Sequence, residues 1–146
     1  MTKKLVALAL LVAASGIAHG QAPEGNASGN FSVALGRFSY AGGYAGIAIG
    51  GLSRASGESS VAIGSKSEAS GKASVALGGE ASTRGDFSVA LGSRSQAPET
   101  LTVSVGNDET KRRIVNVEAG KNATDAVNKA QLDALLARVE ALEAKQ

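Results

Sequence analysis

Few residues in this sequence have side chains that could do covalent or metal chemistry. The sequence contains no cysteine, and its one histidine, His19, lies within the first twenty residues. Without thiolate or imidazole groups, the rest of the chain cannot form disulfides, zinc sites of the usual kind, or Cys and His nucleophiles. The pair Asp108-Glu109 lies in a turn-like stretch with no supporting acid, base or nucleophile. We therefore expect no catalysis, no metal and no cofactor.

Residues 1–20 have the pattern of a secretory signal peptide. Lys3 and Lys4 form a short basic start, residues 5–14 are an apolar run, and Ala18-His19-Gly20 has the small-x-small form of a cleavage site. The apolar run is much shorter than the ~20 residues that a membrane-spanning helix needs. We expect an exported protein whose mature chain begins near residue 21 and has no membrane-spanning segment.

The mature chain is predicted to be electrically neutral. The full sequence has 15 Lys and Arg residues against 13 Asp and Glu residues. Lys3 and Lys4 would leave with the signal peptide, which makes the two counts equal. Nucleic acids and anionic membrane surfaces attract proteins with a clear positive excess. We therefore expect neither of them as a partner.

A phrase of the type Ser-Val-Ala-Leu-Gly recurs six times with a step of 14 residues. The copies lie at residues 32–36, 46–50, 60–64, 74–78, 88–92 and 102–106. A second glycine lies three residues before each of the first five copies, so a period contains two glycine-marked turns. The sequence therefore predicts two short strands per period, stacked in parallel at about 4.8 Å per coil.

Alternation along the repeated phrase separates large apolar residues from small ones. We predict that the large residues fill the interior of the coils; they are Val33, Leu35, Ile47, Ile49, Val61, Ile63, Val75, Leu77, Val89 and Leu91. The opposite face is small and uncharged, which is unusual for a strand exposed to water. We predict that it packs against other copies of the chain, through Ala34, Ala48, Ala62, Ala76 and Ala90. In the second strand, charged residues such as Glu68 should face water.

A single copy of this repeat is not expected to be stable alone. The apolar burial available inside coils of 14 residues is small against the entropy cost of ordering the backbone. Disulfides cannot make up the difference, because the chain has no cysteine. We therefore predict an obligate oligomer.

The composition changes after residue 106 and becomes helical from Thr124. Thr124-Asp125 is a candidate N-cap, and a 3-4-3 spacing of apolar residues predicts a coiled-coil seam. The seam residues are Leu132, Leu135, Val139 and Leu142. Asn128 lies in the same register, where a buried polar side chain can set the number of strands. An ordinary amphipathic helix packed on the rod is the alternative.

Two features together resemble a known family: the six in-register phrases, and RRIVNVEAGKNATDAVNKAQL at residues 112–132. They are similar to the head and neck of trimeric autotransporter adhesins of the Yersinia adhesin A type. The resemblance implies an all-β, left-handed parallel β-roll of 14-residue coils, assembled as a homotrimer, followed by a neck and a short C-terminal coiled-coil helix. The predicted segments are a signal peptide at 1–20, the head at 21–106, the neck at 107–130 and the beginning of the stalk at 131–146.

The resemblance also carries expectations about function and location. It implies an adhesin at the cell surface or outside the cell that binds host matrix proteins such as collagen, or other cells. The family's C-terminal membrane anchor has no counterpart before Gln146. We therefore expect a fragment of a longer adhesin, a short paralogue that is released after export, or a chain that another protein holds at the surface.

Any ligand contacts should lie among the variable residues on the exposed edges of the coils. We select aromatic and basic side chains as the candidates: Tyr40, Tyr44, Lys66, Lys72, Arg84 and Arg94. The aromatic residues concentrated near the first coil are interpreted either as a cap over the end of the rod or as a binding patch. The alternative function is a structural one, a trimerising spacer of a surface fibre with no ligand of its own.

Overall fold

The computed structural model describes residues 25–145, so the predicted signal peptide lies outside the described residues. Their contacts divide them into two compact units, residues 25–111 and residues 112–145. The first unit is built from strands and the second contains a helix. Within residues 25–145 no helix is both long enough and apolar enough to cross a membrane.

Residues 25–111 form a parallel solenoid in which each coil adds one strand to each of two sheets. Sheet A contains the two-residue strands β1 (Asn26–Ala27), β3 (Tyr40–Ala41), β5 (Arg54–Ala55), β7 (Glu68–Ala69), β9 (Ser82–Thr83) and β11 (Gln96–Ala97). Sheet B contains β2 (Val33–Leu35), β4 (Ile47–Ile49), β6 (Val61–Ile63), β8 (Val75–Leu77), β10 (Val89–Leu91) and β12 (Val103–Ser104). The prediction of a parallel β-roll with two strands per coil is confirmed.

Neighbouring coils pair with a constant register of 14 residues. Val61 lies opposite Val75 in sheet B, and Glu68 lies opposite Ser82 in sheet A. The backbone N–H of Val61 donates to the carbonyl of Ser74 over 2.9 Å, and equivalent bonds join the other coils. Because the repeat has no insertion, equivalent residues of successive coils form straight columns with a spacing of about 4.8 Å.

The interior between the two sheets is lined by alanine and serine, which reverses our prediction for sheet B. Ala62 has 0% of its surface exposed, whereas the neighbouring Leu77 and Leu91 are 41% and 45% exposed. The large apolar residues therefore point out of the coil, and the prediction that they fill its interior is wrong. The buried residues of both sheets are Ala41, Ala48, Ala55, Ala62, Ala69, Ala76, Ala81, Ala90 and Ala97, with serines and Thr83 among them.

The same burial rules out the predicted contact role of the alanine column in sheet B. Ala48, Ala62, Ala76 and Ala90 have no exposed surface in a single chain, so their side chains cannot touch a second copy. Ala34, in the first of these coils, is partly buried and packs against the same core. The physical reason is the short distance between the sheets: tight turns join them, and only side chains as small as those of alanine, serine and threonine fit between. The prediction for the second strand is confirmed for its small residues, since Ala55 and Ala69 are buried; of the alternate positions, Arg54 is exposed and Glu68 is partly exposed.

Two tight turns per coil connect the sheets. We call the turns that lead into sheet B the N-side turns, at residues 29–32, 43–46, 57–60, 71–74, 85–88 and 99–102. The turns that follow sheet B are the C-side turns, at residues 36–39, 50–53, 64–67, 78–81 and 92–95. In the turn at 57–60, both the backbone N–H and the hydroxyl of Ser60 donate to the carbonyl of Gly57, over 3.2 and 2.7 Å. A buried serine thus satisfies its own polar group while it closes the turn.

The third residue of each turn has a left-handed backbone although it is never glycine. These residues recur every seven positions: Phe31, Phe38, Ala45, Leu52, Ser59, Lys66, Ala73, Glu80, Phe87, Arg94 and Leu101. This conformation costs about 1–2 kcal/mol for a residue with a Cβ atom. None of them is β-branched, which is the class that tolerates it least. The turns therefore accept many side chains, and most of the variable residues of the repeat lie there.

The unit at residues 112–145 consists of an irregular segment followed by helix α1 (Lys129–Glu143). Asn128 is the N-cap: its side-chain oxygen accepts from the N–H of Gln131 over 3.1 Å, and the Gln131 side chain accepts from the N–H of Asn128. The prediction of an N-cap at Thr124-Asp125 is therefore wrong, and so is the placement of Asn128 in a helical core register. The seam residues Leu132, Leu135, Val139 and Leu142 are 43–63% exposed in the single chain.

Candidate functional site

Sheet B presents a continuous apolar surface on its outer side. We call it the apolar face; it consists of Val33, Leu35, Ile47, Ile49, Val61, Ile63, Val75, Leu77, Val89 and Leu91. Each side chain is partly or largely exposed. Exposed apolar surface that extends over several strands is typical of a protein contact site. The repeat identifies these columns in the sequence, but we expected them in the interior.

Charged residues occupy the turns on both sides of the apolar face. In the N-side turns, Lys72 Nζ lies 3.1 Å from the Glu58 carboxylate, and the Lys72 backbone N–H donates to Asp86 over 2.8 Å. In the C-side turns, Arg94 Nε donates to the Glu80 carboxylate over 3.1 Å. Both ion pairs join equivalent positions of adjacent coils and are about half exposed. Such exposed pairs add little to stability, typically less than about 1 kcal/mol each.

The outer side of sheet A is polar. It includes a contact between Arg54 and Tyr40, where the guanidinium carbon lies 5.8 Å from the ring centroid. Cation–π contacts of this kind hold both side chains against the sheet. Arg54 was not among the predicted ligand contacts; its position opposite Tyr40 in the 14-residue register could have identified it.

The structure distributes the six predicted ligand contacts over three regions and does not bring them into one cluster. Tyr40 lies on the outer side of sheet A, and Arg84 directly follows a strand of the same sheet. Tyr44 and Lys72 lie two coils apart in the N-side turns, and Lys66 and Arg94 lie two coils apart in the C-side turns. The six residues therefore describe a long surface and not a pocket.

Three exposed aromatic side chains lie in the turns of the first two coils. The rings of Phe31 and Tyr44 meet edge to face, with centroids 5.6 Å apart. Arg37 places its guanidinium carbon 4.8 Å from the centroid of the Phe38 ring. Phe31 is 81% exposed. Such aromatic groups can stack on a ligand without ordering long flexible side chains.

The acidic pair Asp108-Glu109 lies at the surface. Both residues are exposed, and Asp108 lies 3.9 Å from Lys111 in a surface ion pair. Among residues 25–145, no three His, Cys, Asp or Glu side chains lie close enough together to hold a metal ion. The chemistry that this surface supports is binding through apolar, aromatic and charged contacts.

The segment before helix α1 is held by two side chains that bond to backbone groups. Gln131 bridges the N–H and the carbonyl of Gly120, over 2.9 and 3.0 Å. The Asp125 carboxylate accepts from the backbone N–H groups of Asn122 and Lys121, each over 2.9 Å. These bonds hold the pKa of Asp125 below its ordinary value of 3.8, and the bond from the Asn122 N–H has the largest effect. The ionised carboxylate therefore holds this turn more strongly than the protonated acid does.

We expect the turn at residues 121–125 to open in acid. The stabilising effect of an acid with a lowered pKa is complete above its unfolded value, and it is lost as the pH falls through the lower folded value. The amide proton of Asn122 should therefore shift in NMR spectra with a midpoint below pH 3.8. Asp125→Asn should abolish this titration, and Asp108→Asn, a change in an exposed acid elsewhere, should leave it unchanged. An Asn122 amide that titrates alike in all three proteins would contradict this assignment.

Comparisons with known proteins match both units of the chain. The family model of the YadA head domain repeat matches residues 26–39, 41–67 and 69–95. The model of the coiled stalk of trimeric autotransporter adhesins matches residues 113–143. Together the two models cover about two thirds of the chain. A search of curated proteins found no match.

Solved structures that are similar to this chain include two YadA-like domains. The collagen-binding domain of the Yersinia adhesin YadA is 29% identical, with a TM-score of 0.54; the match covers 75% of this chain and 84% of that one. The C-terminal YadA-like domain of a Burkholderia pseudomallei protein is 33% identical with a TM-score of 0.49, over 53% of this chain and 48% of that one. The coils, their repeated phrase and the two family models lead to one conclusion: the chain belongs to the YadA-like trimeric autotransporter adhesins, with a head of β-roll repeats and a coiled stalk.

Proposed function

We propose that this protein is the exported, homotrimeric head of an adhesin that binds a matrix macromolecule of the collagen type. The observation that supports this most is the similarity, over three quarters of the chain, to a collagen-binding head. YadA-like adhesins are exposed at the cell surface, their domains are trimeric, and the family is not enzymatic. The signal-peptide pattern in residues 1–20 is consistent with the same location.

The apolar face supports assembly into a trimer. Ten partly exposed Val, Ile and Leu side chains form one uninterrupted surface on sheet B, and the leucine seam of α1 is also exposed. Burial of such side chains contributes roughly 1.5–3 kcal/mol each when it is complete. The interior of the coils contains only small side chains and supplies little of this burial. Packing of three apolar faces around one axis supplies the apolar burial that a single chain lacks.

Because the apolar faces are buried in the trimer, the ligand binds to the surfaces outside them. Tyr40 and Arg54 of sheet A, and Arg84 directly after strand β9, provide an aromatic ring and hydrogen-bond donors. Equivalent positions recur at about 4.8 Å along the rod. A fibrous ligand that lies along the rod can therefore meet several coils at once, and three copies multiply the contacts by avidity.

The test is a binding titration on protein whose mass has first been measured by sedimentation. We expect a trimer that binds immobilised triple-helical collagen with saturation. Removal of two head charges of sheet A and its flank in Arg54→Gln with Arg84→Gln should weaken binding at least about tenfold, since each charge is lost three times in the trimer. Lys111→Gln with Lys121→Gln removes the same charge outside the coils and should leave binding unchanged.

Three results would contradict these proposals in different ways. A monomer in sedimentation would contradict the assembly. A trimer that shows no saturable binding would favour the alternative function, a structural spacer without a ligand. Equal losses in both pairs of variants would show that general positive charge, and not the surface of the coils, attracts the collagen.

A further inference from the structure

The charges in the two sets of turns form complementary columns. In three successive N-side turns the second residue is Glu58, Lys72 and Asp86, in the order negative, positive, negative. In the C-side turns of the same three coils the third residue is Lys66, Glu80 and Arg94, in the order positive, negative, positive. In each of these coils the two turns therefore carry opposite charges.

These columns border the apolar face at its two lateral edges. Each strand of sheet B begins at an N-side turn and ends at a C-side turn, so Glu58 precedes β6 and Lys66 follows it. The strands run around the coil, perpendicular to the rod. If three parallel copies turn this face toward a common axis, the end of a strand in one copy meets the beginning of the equivalent strand in the next copy. The C-side column of each copy then lies beside the N-side column of its neighbour.

We propose that the two columns set the register and direction of packing between copies of this chain, through Glu58 with Lys66, Lys72 with Glu80 and Asp86 with Arg94 across each contact. This inference rests on the proposed homotrimer. Three coils supply one pair each, and three contacts give nine pairs in the trimer. The charges are well placed for it, because the side chains of Glu58 and Lys72 remain 53% and 52% exposed in the single chain.

The apolar face cannot set the register by itself. Every coil offers the same two large apolar residues, so a slip of one coil, about 4.8 Å, keeps nearly all apolar contacts. The same slip brings Glu58 beside Glu80 and Lys72 beside Arg94, which are like charges. Like charges held close together oppose association.

Antiparallel packing is disfavoured for the same reason. Reversal of one copy, with its apolar face still toward the other, brings N-side turns against N-side turns. Glu58 then lies beside Asp86, and Lys72 beside the same lysine of the other copy. Devices that exclude wrong pairings in this way are common where a repetitive apolar surface leaves several pairings open.

The columns allow a test that leaves the pairs within one chain in place. One variant inverts the N-side column, with Glu58→Lys, Lys72→Glu and Asp86→Lys. A second inverts the C-side column, with Lys66→Glu, Glu80→Lys and Arg94→Glu. Two ion pairs lie within one chain, between positions 58 and 72 and between positions 80 and 94. Each inversion exchanges both charges of such a pair, so the two positions still carry opposite charges. A third variant carries all six changes and restores opposite charges between copies.

Dissociation of the trimer on dilution, measured by sedimentation at low salt, distinguishes the variants. Each single-column variant should need at least about tenfold more protein than the original to remain trimeric. This difference in dissociation concentration should become smaller in 0.5 M NaCl, because salt screens exposed charges. The six-change variant should recover to within about twofold of the original protein. The six-change variant contains every substitution of the two single-column variants. It therefore also lacks the Asp86 carboxylate, which accepts from the Lys72 N–H in the original protein. Its recovery therefore cannot come from a general effect on folding.

A matched control exchanges Arg54→Glu and Glu68→Arg on sheet A, away from both columns, and should leave the dissociation concentration unchanged. Trimers of equal strength in all variants would overturn the inference while the proposed assembly stands. A six-change variant as weak as the single-column variants would overturn it as well. If the original protein is monomeric, the assembly proposal itself fails.

Discussion

Replacement of Gly50 by alanine is expected to destabilise the solenoid strongly, whereas the same change at the adjacent Gly51 is expected to be tolerated. Gly50 has a φ of +120°, and a Cβ atom there would lie 2.7 Å from the carbonyl carbon and oxygen of Gly64 in the next coil. The backbone conformation alone costs about 1–3 kcal/mol for a residue other than glycine, and the clash involves backbone atoms that cannot rotate away. We expect a total loss of roughly 3 kcal/mol or more.

Gly51 is a matched control because it lies in the same turn and the substitution has the same size. The nearest atom to a Cβ atom at this position is the Arg37 carbonyl oxygen, at the ordinary contact distance of 3.8 Å. Equivalent turns hold Arg37, Ser65 and Ser93 at this place. Thermal unfolding followed by circular dichroism, at one protein concentration, should show a fall of about 10 °C or more for Gly50→Ala only. Equal melting temperatures for the two variants would contradict the stacking of glycines between coils.

The second large effect is expected for Ala62→Leu in the interior of the coil. Ala62 is completely buried between the sheets, in a layer of alanine and serine side chains. Three additional carbon atoms must push the sheets apart or distort the turns that join them, which typically costs about 1–3 kcal/mol and sometimes more. We expect the upper end of this range, because tight turns limit the separation of the sheets. Urea unfolding should measure this loss.

Ala73→Leu provides the comparison for the interior variant. Ala73 is the third residue of an N-side turn, and equivalent turns carry Phe31, Phe87 and Leu101 at this position with the same left-handed backbone. The substitution should therefore change stability by less than about 0.5 kcal/mol, as is usual for surface positions. If instead Ala62→Leu left the chain folded and altered only its association, the alanine column would have to point outward, as the sequence first suggested.

The helical end of the chain shows how a local bond can override a periodic pattern. The leucine spacing predicted the helix, and α1 contains all four seam residues. Its beginning was placed too early, because Thr124-Asp125 is also a plausible cap. In the structure Asp125 instead closes a turn through the N–H groups of Lys121 and Asn122, and Asn128 forms the capping box with Gln131. The choice between two polar caps depends on contacts with Val117 and Gly120 that lie eleven residues away.

The candidate surfaces were only partly predictable. Variable residues of the repeat were expected on the outside, and Tyr44, Lys66 and Lys72 lie there. The contact of Arg54 with Tyr40 and the opposite charges across each coil were missed, although both follow from the 14-residue period once columns are compared in pairs. What the period cannot show is which columns lie beside the apolar face, since this depends on how the turns orient the two sheets.

The sequence by itself determined the period of the coils, their parallel pairing and the set of residues that share each face of a strand. These follow from an exact 14-residue repeat and from the alternation of side chains along a strand. Only the tertiary structure decided which face is inside. The alternation of side chains does not distinguish the two faces of a strand. The usual preference for large apolar residues in a core suggested the wrong face as the buried one. Tight glycine-serine turns bring the sheets so close that only Ala62 and its equivalents fit between them, which leaves Ile63 and the other large residues outside for contact with further copies.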